Sequence, residues 1–185
     1  MSVRVKICGL ANADDVQATA AMEPDYLGFI LWPGSKRAVT PSQVGAWTRE
    51  LPDSVQTVGV FIDASADEIE RAIEDAGLDI VQLHGSEPPE LIDRVGRPAW
   101  KAVHLDRMSA EDAARYKVDA LLIDSYTREM PGGTGKTVDW DLASGFVSSA
   151  HCPVILAGGL RPENIDDAID GLGAFFAEEV TISCL

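Results

Sequence analysis

Cysteine, aromatic residues and positive charge are all scarce in this chain. Its 185 residues include three cysteines, Cys8, Cys152 and Cys184. Their odd number and wide spacing argue against a disulfide framework and against a zinc cluster, which leaves room for one working thiol. Lys and Arg number 15 against 30 Asp and Glu, a formal charge of −15. Nucleic acid and anionic membranes both call for basic surface, so neither is an expected partner. The acidity favours solubility and is compatible with a salt-adapted host. There is no apolar run long enough to cross a bilayer, and no charged N-terminal region leading into an apolar segment and a cleavage site. The expected location is therefore the cytoplasm. Two nucleotide-binding signatures are also missing. Gly9-Leu10-Ala11-Asn12 is not a glycine-rich dinucleotide turn, and Gly132-Gly133-Thr134-Gly135-Lys136 has the wrong glycine spacing for a Walker loop.

What is present is a repeated strand and helix pattern. In Val3 to Cys8 the odd positions are apolar, while Arg4, Lys6 and Cys8 share the other face because side chains alternate along a strand. Gly9 permits a sharp turn, and Asn12 with Asp15 three residues on predicts a helix start. Further strands are predicted at Tyr26 to Leu31, Val55 to Ile62, Asp79 to Leu83, Ala99 to Val103, Ala120 to Ile123 and Pro153 to Ala157. Helix starts are predicted at Thr40-Pro41-Ser42-Gln43 and Ser65-Ala66-Asp67-Glu68, with Gly77 as a helix stop and a last helix from near Pro162. Seven such units with the remnant of an eighth favour one (β/α)8 barrel domain over residues 1–185, rather than an open doubly wound sheet. Such barrels typically need about 200 residues or more, so the chain sits at the short limit.

Several strands end in polar residues or glycines: Cys8, His84-Gly85, His104, Asp124 and Gly158-Gly159. In a barrel all of these lie on the C-terminal rim, where loops converge on a shared pocket. A lone buried cysteine is most often a small apolar filler. Lys6, two residues back on the same face, supports a working role for Cys8, because a nearby ammonium favours thiolate. Asp124 fits a catalytic carboxylate, an N-cap or a solvated loop residue. His84 and His104 suit orienting a neighbour or binding phosphate, and two histidines make no metal site without a third ligand. Gly133, Gly135, Gly158 and Gly159 offer bare amides that can approach a phosphate, or else simple turns. Arg37 can clamp a carboxylate with two parallel hydrogen bonds, although the default for a lone arginine is a surface cation.

In order along the chain, Val5-Lys6-Ile7-Cys8-Gly9-Leu10, Leu27-Gly28-Phe29 leading to Ser35-Lys36-Arg37, Val58-Gly59-Val60-Phe61, Val81-Gln82-Leu83-His84-Gly85, Leu122-Ile123-Asp124, Gly132-Gly133-Thr134-Gly135 and Leu156-Ala157-Gly158-Gly159-Leu160 resemble the phosphoribosylanthranilate isomerase family of tryptophan biosynthesis. The resemblance spans roughly residues 3–169. It implies a (β/α)8 barrel that performs an Amadori rearrangement of N-(5-phosphoribosyl)anthranilate, with no cofactor and no metal, as a monomer or homodimer. By the same resemblance, Cys8 is the general base, Asp124 the general acid, Arg37 the contact for the anthranilate carboxylate, and Gly158 and Gly159 part of the phosphate grip. An acid benefits from desolvation and a thiol base from a neighbouring cation, so the two environments are expected to push proton affinity in opposite directions.

After Ile169 the resemblance fails. The family continues with an eighth strand carrying an aspartate and a Ser-Ser-Gly phosphate turn, then a closing helix. Here residues 170–185 contain neither, with Phe175 or Val180 to Cys184 as candidates for the eighth strand. The expectation is an eighth unit that is incomplete or altered, with unpaired strand edges and weaker phosphate binding. The alternative function is therefore a catalytically impaired remnant or interaction subunit of the same family. A histidine-pathway isomerase is disfavoured, because Cys8 stands where that enzyme has an aspartate.

Overall fold

The computed structural model describes residues 2–124, 140–160, 163–166 and 179–184. Eight parallel strands form a closed barrel in sequence order: β1 Ser2–Cys8, β2 Tyr26–Ile30, β3 Gln56–Phe61, β4 Ile80–Leu83, β5 Ala99–Val103, β6 Ala120–Asp124, β7 Val154–Ala157 and β8 Glu179–Cys184. The last strand corrects the expectation of unpaired edges. Thr181 of β8 is in register with Arg4 of β1 on one side and with Ile155 of β7 on the other. The segment from Val180 to Cys184 thus takes the eighth place, extended by Glu179. A run of Val, Thr and Ile suits it to a pleated, hydrogen-bonded position.

The helices begin where their caps predict. Asn12 accepts from the Asp15 amide ahead of α1 Ala13–Ala20. Capping boxes at Thr40/Gln43 and Ser65/Glu68 open α2 Pro41–Thr48 and α3 Ala66–Ala76. Those bonds to Ser65 hold the Glu68 carboxyl below its ordinary pKa. Gly77, at φ 68°, ends α3 in the left-handed region. The later connections are shorter than the sequence pattern implies. Only a 3-10 turn, Pro89–Arg94, joins β4 to β5, and the four-residue α4 Ala110–Ala113 joins β5 to β6. Helix α5 Trp140–Ser149 precedes β7, and most of the helix predicted from Pro162 lies outside the described residues. Among the described residues no helix is long and apolar enough to cross a membrane.

Apolar side chains fill both sides of the strand cylinder. Tyr26, Val58, Ile80, Trp100, Ala102, Ala120, Leu122, Ile155 and Ala157 form the cluster inside it, with the Tyr26 and Trp100 rings edge to face at 5.0 Å. Two outer clusters, around Phe29, Val44 and Ile69 and around Val103, Phe146 and Leu156, join the strands to the helices. A recurrent clasp closes the N-terminal end. Asp25, Asp79 and Asp119 each stand one residue ahead of an even strand and accept the amide of Val5, Thr57 and Ala99 respectively, each at 2.8 Å. Each clasp ties an amide of the preceding strand to the residue that leads into the next.

Candidate functional site

Of the polar face of β1, Arg4 is exposed while Lys6 and Cys8 are buried. Lys6 is fully buried and in register with Tyr26, which lies inside the barrel, and Cys8 follows on the same side at 7% exposure. Gly28 of β2 pairs with Cys8, and a Cβ there would stand 2.7 Å from the thiol sulfur. Glycine at that position keeps space for the sulfur. Gly9 turns out of β1 at φ 81°, a left-handed conformation open to glycine, and its amide donates to the Gly28 carbonyl at 2.9 Å. The guanidinium of Arg37, from the loop after β2, lies directly against Gly9. Fold and loop thus bring Arg37 beside the end of β1.

Asp124 ends β6, and β7 and β8 separate it from β1 around the barrel. Its carboxylate lies 3.0 Å from His84 Nε2, with side-chain exposures of 11% for Asp124 and 22% for His84. The other ring nitrogen, His84 Nδ1, lies 2.8 Å from Gln82 Nε2. Gln82 is 2% exposed, and its Oε1 is buried with no hydrogen-bond partner. Leaving such an atom unpaired costs about 1–3 kcal/mol. His104, at the end of β5, stands edge-on to His84 with ring centroids 6.3 Å apart, and its Nδ1 is also unpaired. Among the described residues no three His, Cys, Asp or Glu side chains group as a metal site.

Behind His84 the loop is pinned from the outer side of the barrel. Lys101 and Glu87 form an ion pair of 2.8 Å with each side chain 1% exposed. Lys101 Nζ also donates to the Gly85 carbonyl at 2.6 Å. Glu87 accepts the amides of Gly85 and Asp63, and the Asp63 carboxylate accepts the Ser86 amide. Tyr116 donates its hydroxyl to the Glu87 carbonyl at 2.9 Å, and burial, followed by the Glu87 charge, pushes its pKa up. Sequence reasoning missed this cluster, although a lysine inside the apolar run Ala99 to Val103 was its visible signal.

On the far side of the rim, Gly158 and Gly159 follow β7 with φ 82° and 66°. Both need glycine, and the Gly159 carbonyl accepts from Asn164 at 3.0 Å. Gly133 and Gly135 lie outside the described residues. Cys152 stands apart from the rim beside Val154, and burial pushes its thiol pKa up, which suits packing rather than nucleophilic work.

A family model described as N-(5'-phosphoribosyl)anthranilate isomerase matches residues 5–178. The chain is 40% identical over 168 residues to the N-(5'-phosphoribosyl)anthranilate isomerase of Pelobacter propionicus, covering 90% of this chain and 79% of that one. It superposes on the phosphoribosyl anthranilate isomerase of Thermus thermophilus with a TM-score of 0.82 and 35% identity, over 97% of this chain and 86% of the other. A further phosphoribosyl anthranilate isomerase structure, in complex with reduced 1-(o-carboxyphenylamino)-1-deoxyribulose 5-phosphate, matches with a TM-score of 0.76 and 33% identity, over 98% of this chain and 87% of that one.

Proposed function

The chain belongs to the N-(5'-phosphoribosyl)anthranilate isomerase family, and on that premise we propose that its single barrel domain isomerises N-(5'-phosphoribosyl)anthranilate to 1-(2-carboxyphenylamino)-1-deoxyribulose 5-phosphate, the family's step in tryptophan biosynthesis, with Asp124 as acid and Cys8 as base. The observation that carries the reading is the placement of these two groups. Each ends a strand on the same rim, each is largely withdrawn from water, and two strands separate them. A sugar bound between them meets a proton donor on one side and an acceptor on the other.

The chemistry runs in two stages. Asp124, carrying its proton, gives it to the furanose ring oxygen as the C1–O bond breaks, and the anthranilate nitrogen lone pair forms the C1=N iminium. Cys8, as thiolate, then takes the C2 proton, and the C2–H electrons form the C1=C2 bond while neutralising the nitrogen. The resulting enolamine becomes the ketone as C1 gains a proton and the C2 hydroxyl loses its own. Arg37, whose guanidinium lies beside Gly9, takes the anthranilate carboxylate in this proposal. Gly158 and Gly159, with Gly133 and Gly135, supply amides for the phosphate, and His84 supports Asp124.

Complementation of a tryptophan auxotroph lacking this step tests the proposal in the cell. The chain is expected to restore growth, and Cys8→Ser and Asp124→Asn to abolish it at equal expression. Failure of the unaltered, soluble chain to rescue would favour the non-catalytic alternative, while rescue by both variants would overturn the residue assignment.

A further inference from the structure

We propose that Gln82 is a positioning residue that selects the tautomer of His84, and through it whether Asp124 holds its proton, according to which end of its amide it turns toward the ring. The inference rests on Asp124 being the acid of the proposed reaction. Gln82 Nε2 lies 2.8 Å from His84 Nδ1, and His84 Nε2 lies 3.0 Å from Asp124 Oδ2. An amide NH2 can only donate, so Nδ1 must accept, and the proton of a neutral imidazole then sits on Nε2. From there it is donated to Asp124 Oδ2, which can then carry no proton of its own. This arrangement suits an acid whose Oδ2 has given up its proton.

An Asp124 that carries its proton on Oδ2 reverses every bond in the chain. Its hydroxyl donates to Nε2, Nδ1 carries the ring proton, and Nδ1–H needs an acceptor. The atom able to accept is Gln82 Oε1, which is buried without a partner on the same amide group. Half a turn of that amide exchanges its two ends, which are nearly equal in size. A protonated imidazole beside the Asp124 carboxylate needs the same turn, so in either form the His84–Asp124 pair holds one proton more when Oε1 faces the ring than when Nε2 does. Packing alone does not account for a glutamine here. Gln82 is 2% exposed, two residues along β4 from Ile80 of the apolar interior, where an aliphatic side chain would leave no orphaned oxygen.

The other charged or titratable groups around His84 are His104, edge-on from β5, and the Lys101–Glu87 pair with Asp63, which hold the Gly85–Ser86 backbone next to it. None of these contacts His84 Nδ1, so the amide governs that nitrogen.

Two variants of the full chain test the inference. Gln82→Glu, when ionised, can only accept at Nδ1. It should move the limb on which kcat falls with rising pH upward by about one unit, with KM within about twofold. Ring 15N resonances of His84 should then show Nδ1 protonated at a pH where the unaltered chain carries its proton on Nε2. Gln82→Met keeps the volume, removes both polar ends, and should lower kcat about tenfold. The unaltered protein should itself gain Nδ1–H as Asp124 takes up its proton, a reading that stands even if a variant fails to fold. A Gln82→Glu profile matching the original, a Gln82→Met kcat matching the original, or a His84 tautomer that never changes would each overturn the proposal. If Asp124→Asn stays active, it is the acid assignment that falls. An inactive Asp124→Asn beside a normal Gln82→Glu profile removes the present inference alone.

Discussion

At the scale of single residues, the site depends on what its glycines leave empty as much as on its reactive groups. A Cβ at Gly28 would stand 2.7 Å from the Cys8 sulfur, closer than the two atoms can approach without moving. Gly28→Ala is therefore expected to displace the thiol and lower kcat about 10–100-fold, since misplacement by about 1 Å can cost that much. Circular dichroism and melting should show the barrel intact, and an unchanged kcat would mean the sulfur has room the structure does not give it. The places of Cys8 and Asp124 at strand ends and of Arg37 in the loop after the second strand were legible in the sequence, while the roles proposed for them came from the family resemblance. The reason for Gly28 was not legible. It depends on the register between β1 and β2, and so on a neighbour 20 positions away.

At the scale of elements, one buried cluster sets the loop that carries His84. Lys101 and Glu87, both 1% exposed, anchor the Gly85 and Asp63 backbones on the outer side of the barrel. Lys101→Met removes one charge and strands the other, and should cost about 3–5 kcal/mol of stability. The double change Lys101→Met, Glu87→Leu should cost less than Lys101→Met alone, because no buried charge is left unpaired. Urea unfolding of the two proteins checks the order, and a double variant no more stable than the single one would contradict it. Caps and strand cores were readable because their signals are local: Thr40 with Gln43, Ser65 with Glu68, and the apolar runs of β2 and β6. The 3-10 turn at Pro89–Arg94 and the Asp25, Asp79 and Asp119 clasps were not, because each depends on a strand the sequence does not show beside it.

At the scale of the whole molecule, the difference between expectation and structure lies in β8. Residues 170–185 implied an eighth unit incomplete or altered, with unpaired strand edges, and offered Phe175 or Val180 to Cys184 as its strand. Glu179–Cys184 instead pairs with β1 and β7 together, so the rim on which Cys8 and Asp124 stand is a complete ring. Strand pairing is decided by backbone groups and β propensity, which Val180, Thr181 and Ile182 meet without the family's usual motif. The most direct test of the account is the turnover of freshly made N-(5'-phosphoribosyl)anthranilate by the purified chain beside its Cys8→Ser and Asp124→Asn variants. The account predicts conversion to the deoxyribulose phosphate by the unaltered chain and a loss of about 10²–10⁴-fold in each variant. No conversion by the folded chain, or variants that match it, would contradict the account.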